Sequence, residues 1–293
     1  MSNDYDASVQ ELTVFHRPSG SSHGNRRAML FGIVILALLL AFVCVLGRYL
    51  APAASTTGFS HKNLGVSLAH PFGTDWMGRD MMFRTLSGLS TSILVGLVSA
   101  AFSSVIAFVL ACVAVLGGPV ADSLVDWLID VVMGIPHIVL LLLISYALGR
   151  GFWGVTVGVA VTHWPSLTRL LRAEIAQLKA QPYIACSRAV GVSSWRIAIA
   201  HMLPGIFPQY LVGLVLLFPH AILHEASITF LGFGLSPEQP AIGVILSESM
   251  SYLSSGAWWL AVFPGLSLLL IVLTFDRIGG LLRGLIGGRE VQL

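Results

Sequence analysis

Four histidines stand inside or beside long apolar runs: His137, His163, His220 and His224. Ionisable side chains at membrane depth face a bundle interior or a pathway rather than lipid. His220 and His224 are four residues apart, hence on one helical face, with Glu225 adjacent. Imidazole is a ligand for first-row divalent metals such as nickel, so His220 and His224 are candidate metal ligands. Two readings stand open for all five residues. Each histidine can bond a neighbouring backbone group or line a wet cavity, or the set can touch a metal ion or a metal chelate in transit. A tight, closed metal site does not suit a path that has to release its cargo. His224-Glu225 also begins the pattern HExxH, but the fifth position is Ile228, so the zinc pair of a metalloprotease is missing. Asp122, Asp126 and Asp130 recur every fourth residue and share a helical face. Carboxylates on one helix repel one another, which favours a polar face at the bundle entrance over a metal shell.

What positions these side chains is a set of membrane-crossing helices. Hydrophobic residues make up 56% of the 293-residue chain and charged ones 10%, against roughly 25% charged in an ordinary soluble domain. Mean hydropathy is +0.85. A soluble protein of this size needs more charge to cover its surface, so the composition is that of an all-α polytopic membrane protein. A net charge of +2 gives no footing for nucleic acid. Cys44, Cys112 and Cys186 are scattered and form no disulfide or CxxC pattern. No GxxxxGK[ST] phosphate cradle occurs, and no catalytic site of the chain's own is expected.

Apolar runs at about 28–50, 90–116, 125–148, 152–171, 206–231 and 257–278 are each long enough to cross a hydrocarbon core of about 30 Å. About six spans follow. The first competes with a cleaved signal peptide, since Ala51-Pro52-Ala53 loosely mimics a cleavage site; the long tail ahead of it and its length favour an uncleaved span. Gly134-Ile135-Pro136-His137 interrupts the third, where Pro136 removes a backbone bond. With both termini inside, eleven of the 16 basic residues are cytoplasmic, and Arg48, Lys62, Arg79, Arg84 and Arg150 are outside, as the positive-inside rule requires. Residues 1–27 and 284–293 are then cytoplasmic tails. Residues 28–87 hold the first span and an external segment, and 88–283 form the transmembrane core. In the external segment, Arg79, Asp80 and Arg84 suit a short amphipathic helix with its Met and Phe side in lipid, or else a solvated loop. Residues 236–255 read as polar and external.

A polar island, YIACSRAVGVSSWRIAIAHMLP, spans Tyr183 to Pro204 on the cytoplasmic side. Pro182 suits a helix start, Gly191 a sharp bend, and Pro204 a stop, so two short helices are expected.

These residues resemble a known family. HPFGTDWMGRDMMFRTLSG at 70–88, with Gly73, Thr74, Asp75, Gly78, Arg79 and Asp80, is similar to the segment before the second span in permeases of binding-protein-dependent ABC importers, in their peptide, opine and nickel branch. The island resembles the cytoplasmic EAA loop of such permeases, with Ala185-Cys186-Ser187 at the Glu-Ala-Ala triplet, then Gly191 and Leu203-Pro204. SITFLGFGLSP at 227–237 resembles the branch's Phe-Leu-Gly-Leu-Gly signature. Two departures stand out. Ala185 replaces the loop Glu, and Asp276 and Gly280 replace the Asn and Asp of a C-terminal motif. The histidine pattern resembles the nickel-importer permeases more than the dipeptide ones.

The resemblance implies a type I (MetI-like) ABC importer permease fold with a cytoplasmic coupling-helix loop, in a bacterial or archaeal cytoplasmic membrane. It implies transport of nickel or a metal chelate by alternating access, with dipeptides or oligopeptides as the alternative cargo. It also implies a second homologous permease subunit, two ATP-binding cassette subunits that use ATP and Mg, and an extracytoplasmic solute-binding protein, this chain binding no cofactor. Tyr183, Arg188, Gly191 and Trp195 would form the docking surface for the ATPase. A passive channel is the reading from another class, opposed by the island and by the lack of a repeated filter-like segment.

Overall fold

A computed structural model describes residues 23–287; Arg17, Arg289 and most of both expected tails lie outside the described residues. The elements are α1 (His23–Ser55), a short 3-10 turn (Phe59–His61), α2 (Met81–Leu116), α3 (Pro119–Met133), α4 (His137–Ala147), α5 (Gly151–Lys179), α6 (Pro182–Ala189), α7 (Ser194–Ile197), a π-helical stretch (Ala198–Met202), α8 (Leu203–Phe230), α9 (Ile242–Leu253) and α10 (Trp259–Gly287). The described residues contain no β-strand beyond the isolated bridge Thr74–Asp80. Hydrocarbon supplies no hydrogen-bond partner for open backbone, so an all-helical span set is what the composition demands.

Helix α2 is the spine. Ser92, Gly96, Ser99, Ser103, Ala107, Ala111 and Ala114 are all buried along it. This stripe of small residues lets α5 and α8 approach closely. Gly96 lies against Phe218 of α8, where a Cβ would come within 3.2 Å of the ring. Ser99 Oγ donates to the Thr156 carbonyl of α5. Helix α1 packs on α2 and α10 at the periphery and leaves most of its apolar side chains exposed, as a lipid-facing helix does.

Four helical segments are long and apolar enough to cross a membrane, and five if the bent pair α3–α4 counts as one. The expected fourth span, α5, is long enough at 29 residues but carries His163, Trp164, Pro165, Arg169 and Arg172 along its length. It packs against α2, α4 and α8, which bury His163, Trp164 and Pro165, while Trp153, Val157, Val161 and Leu170 stay exposed.

Three local expectations are corrected. No amphipathic helix forms at 79–84. Instead Asp80 caps α2, its side chain accepting from the Met82 and Phe83 amides. Arg84, in the first turn of α2, is buried, and its Nη1 donates to Asp75 Oδ2 at 2.7 Å and Glu248 Oε2 at 2.9 Å. Arg79 reaches the same two carboxylates. Glu248 comes from α9, which occupies most of the segment read as a polar external loop; its Ile242, Val244 and Ile245 are buried. Pro204, expected to stop a helix, instead sits in the first turn of α8, and the helical path is continuous from Ser194 to Phe230. Proline has no N–H for the preceding turn, and the five-residue π-helical stretch directly before it is the wider turn that absorbs this misfit.

The outer ion cluster predicts a stability effect. Arg84→Met removes the buried cation, leaves Asp75 and Glu248 to the more exposed Arg79 alone, and lowers stability by about 3–5 kcal/mol. Adding Asp75→Asn and Glu248→Gln recovers most of that loss. Thermal unfolding of the purified, detergent-solubilised chain checks both steps. Gly78→Ala is independently destabilising, because Gly78 has φ +74° and its Cβ would lie 1.9 Å from the Gly58 carbonyl oxygen.

Candidate functional site

Two regions bring the singled-out residues together. The first is the polar island. Pro182 opens α6 in its first turn, and Gly191 ends it at φ +80°. The Val192 amide bonds back to the Ser187 carbonyl and the Gly191 amide to the Arg188 carbonyl; this pair of bonds is a Schellman closure, which calls for glycine at the left-handed position. Ser193 then caps α7, its Oγ accepting from the Arg196 amide. The result is a rigid helical corner. Ile184 and Ile197 anchor it from below, both buried, while Tyr183, Ala185, Cys186, Arg188, Gly191, Trp195 and Pro204 are exposed; Ser187 and Leu203 are half-buried. Trp195 is 72% and Val190 79% exposed, which is costly for apolar side chains in water unless something covers them.

The second region is a cavity of about 560 Å³ at the α3–α4 break, walled by α5 and α8. Helix α3 ends at Met133 and α4 begins at His137 after a bend of 88°. Pro136 sets the new direction, and its carbonyl accepts the Leu140 amide. This turn places His137 against His163 of α5 and His224 of α8. The ring centroids lie 4.6 Å apart for His137–His163, 4.6 Å for His137–His224 and 4.9 Å for His163–His224. One donor nitrogen from each ring lies within 4.8 Å of the others.

His220 and His224 share a face of α8, as their spacing predicts. His220 lines the same cavity but is exposed and stands outside this group. It lies one turn nearer the α8 N-terminus, while His137 and His163 arrive from other helices. Glu225 points elsewhere, as the neighbouring position on a helix must. It is fully buried and accepts a hydrogen bond from Thr229 Oγ1 at 2.9 Å. His163 is buried, and its Nδ1 lies 2.8 Å from the Val159 carbonyl. A carbonyl can only accept, so Nδ1 carries the proton and Nε2 presents a lone pair. Nε2 of His163 and Nε2 of His137 are both buried and unpartnered.

Asp122, Asp126 and Asp130 share a face of α3 as their spacing predicts, but their partners come from α5. Arg172 bonds Asp122 and Asp126, and Arg169 bonds Asp130. The ladder clamps α3 to α5, and guanidinium groups stand where a metal would need open carboxylates. At the opposite end, Gly73, Thr74, Asp75, Gly78, Arg79 and Asp80 form the loop that seats the buried Arg84. Asp75 Oδ1 accepts the Met77 and Arg79 amides, and Thr74 Oγ1 accepts the Leu64 amide.

Sequence reasoning missed Glu248 as the partner of Arg84, and the pairing of His137 and His163 across separate helices. For Glu248 the available signal was the one charged residue in a dozen that hold no other.

Comparison with known proteins follows this geometry. Residues 103–285 match the family model described as binding-protein-dependent transport system inner membrane component. A putative peptide permease protein of Brucella suis biovar 1 is 34% identical over 262 residues, covering 88% of this chain and 86% of its own length. The dipeptide transport system permease protein DppC of Bacillus subtilis is 31% identical over 256 residues, covering 87% and 79%. Among solved structures, an inward-facing form of the MetNI methionine ABC transporter aligns with TM-score 0.54 at 20% identity, over 69% of this chain and 97% of that one. An amino acid ABC transporter with histidines aligns with TM-score 0.55 at 16% identity, over 68% and 92%. At these identities the structures establish the fold, a MetI-like helical permease, while the family model covers well over half of the sequence. The chain therefore belongs to the binding-protein-dependent transport system inner membrane component family, and is a multi-pass permease subunit of an ABC importer.

Proposed function

We propose that this permease passes small peptides into the cell, working beside a second homologous permease subunit, two ATPase subunits and an external solute-binding protein. The observation that carries the peptide class is the naming of its relatives: one is a putative peptide permease and another a dipeptide transport permease. The nickel reading of the histidine pattern moves to second place. One observation still favours it, the three imidazoles gathered on the cavity wall.

In this reading ATP and Mg belong to the ATPase partners, and this chain contributes a lever. The corner α6–α7 is the part that enters the ATPase cleft, with Tyr183, Arg188, Gly191 and Trp195 as the contact surface. Its rigidity is what suits it: the Schellman closure and the Ser193 cap leave no slack between the two short helices. Trp195 supplies an exposed aromatic anchor of the kind that dominates protein interfaces. With Ala185 in place of the loop glutamate, docking relies on this apolar and cationic surface. The exposed apolar side of α3, including Val120, Leu124 and Trp127, suits contact with the second permease subunit. Both termini and the corner face the cytoplasm in this arrangement.

Two measurements test the reading. Gly191→Val removes the residue that tolerates φ +80° and should lower transport by about tenfold or more while ATP hydrolysis continues; coupling that stays normal removes the corner from the force path. Cells carrying the intact transporter should accumulate radiolabelled dipeptide and lose that uptake when this chain is deleted. Dipeptide uptake that survives the deletion, alongside nickel uptake that does not, reverses the order of the two cargo readings.

A further inference from the structure

We propose that His137, His163 and His224 form a binding site for a first-row transition-metal ion, built from three separate helices and open on one side to the cavity at the α3–α4 break. The inference rests on the permease reading only in taking that cavity as the route by which the ion arrives; the ligand set itself follows from local geometry.

Four observations converge. First, three imidazoles from three helices lie together on the cavity wall, with one nitrogen from each within 4.8 Å of the others. A tetrahedral metal with bonds of about 2.1 Å holds its ligands roughly 3.4 Å apart, so closure asks each ring to move by less than about 1 Å. Second, the proton on His163 is placed by a backbone carbonyl. The bond from Nδ1 to the Val159 oxygen leaves Nε2 as the free lone pair, which is the outer-shell arrangement that metal-binding histidines use to fix tautomer and ring orientation. Third, Nε2 of His163 and Nε2 of His137 are buried with no partner, and leaving a buried polar atom unpaired is costly. Simple core packing leaves that cost unanswered, whereas a shared cation answers it for the whole group. Fourth, the group borders a cavity of about 560 Å³ rather than a sealed core, which leaves room for a fourth ligand from water or cargo.

The donor set also limits the ion. Three neutral nitrogens with no carboxylate suit Co2+, Ni2+, Cu2+ or Zn2+ and do not suit Mg2+ or Ca2+, which want oxygen. His220 is the rim residue rather than a ligand: it is exposed on the cavity wall, one helical turn before His224. Because the ligands come from α4, α5 and α8, an occupied site would tie the hinge at Pro136 to the two helices beside it.

The test is Co2+ titration of the purified full-length chain in lipid nanodiscs. One equivalent should bind, with the visible absorption of four-coordinate Co2+, and the thermal unfolding midpoint should rise with Co2+ concentration by mass action. His163→Asn and His224→Asn should each weaken binding by about 100-fold or more, while His220→Asn should retain the spectrum. The unfolding midpoint of each metal-free variant checks that it is folded, and a variant that fails this check is replaced by His→Gln at the same position. No saturable Co2+ binding by the intact chain below about 1 mM overturns the proposal, as does a spectrum that survives loss of His163 or requires His220. No peptide enters the measurement, so failure of the peptide reading leaves this result standing, and failure of metal binding leaves the peptide reading untouched.

Discussion

Pro136 is the residue on which the cavity depends. A backbone group inside a membrane has to find its partner within the protein, and a helix crossing at full length would spend all of its polar groups on itself. Proline at 136 has no N–H to give, and here, two residues after Gly134, it caps a new helix instead of being carried inside one as Pro165, Pro208 and Pro219 are. The chain breaks at Gly134 and restarts at His137 after a bend of 88°. Residues of α5 and α8 line the cavity beside the break, while Met133, Gly134, Ile135 and Pro136 themselves stay exposed. The polar side chain released at the restart is a histidine, and the helices beside the break carry two more. Bend, cavity and imidazole group all meet at this break.

The same economy governs the two ends of the bundle. At one end Arg84 is buried among Asp75, Glu248 and the loop that begins at Gly73, so that α2 and α9 share a single charge cluster. Breaking such a cluster costs more than forming it gains, which makes it a device for fixing register between helices rather than for adding stability. Along the other side, Arg169 and Arg172 meet three aspartates of α3. Those pairs are largely exposed and individually weak, so the α3–α5 contact can open and re-form, whereas the buried cluster cannot.

How much of this the sequence made legible follows from what kind of signal each feature has. Spans written as runs of apolar residues are readable, because hydrocarbon thickness sets their length. The corner at 182–197 is readable because Pro, Gly and Ser each have a local reason for their place. Legibility ends where a partner lies far along the chain. Arg84 reads as half of an amphipathic face until Glu248, 164 residues away, turns out to neutralise it. His220 and His224 look like a pair because helical spacing is visible in one dimension. The group that actually forms takes one histidine from each of three helices, and no spacing rule encodes that. Pro204 misleads for a different reason: a proline usually ends a helix, but a π-helical stretch ahead of it lets the helix run on.

That last correction bears on how the two regions of interest are joined. If Pro204 ended a helix, a loop would separate the proposed ATPase contact from the cavity, and a loop absorbs displacement. Instead Trp195 and His224 belong to one continuous helical path from Ser194 to Phe230. At 1.5 Å per residue they are about 44 Å apart along it. In the proposed coupling role, a push at the corner would travel along this path, with the π-helical stretch, Pro208 and Pro219 as its points of compliance. Pro219 directly precedes His220, so the last of these three points lies beside the cavity. Bending there would carry His224 relative to His163 on α5, whose place is held by its own contact with α2. Under the proposed coupling, a lever of this form would turn an axial displacement at one membrane face into a change of spacing among the three imidazoles, with no contact between cargo and corner.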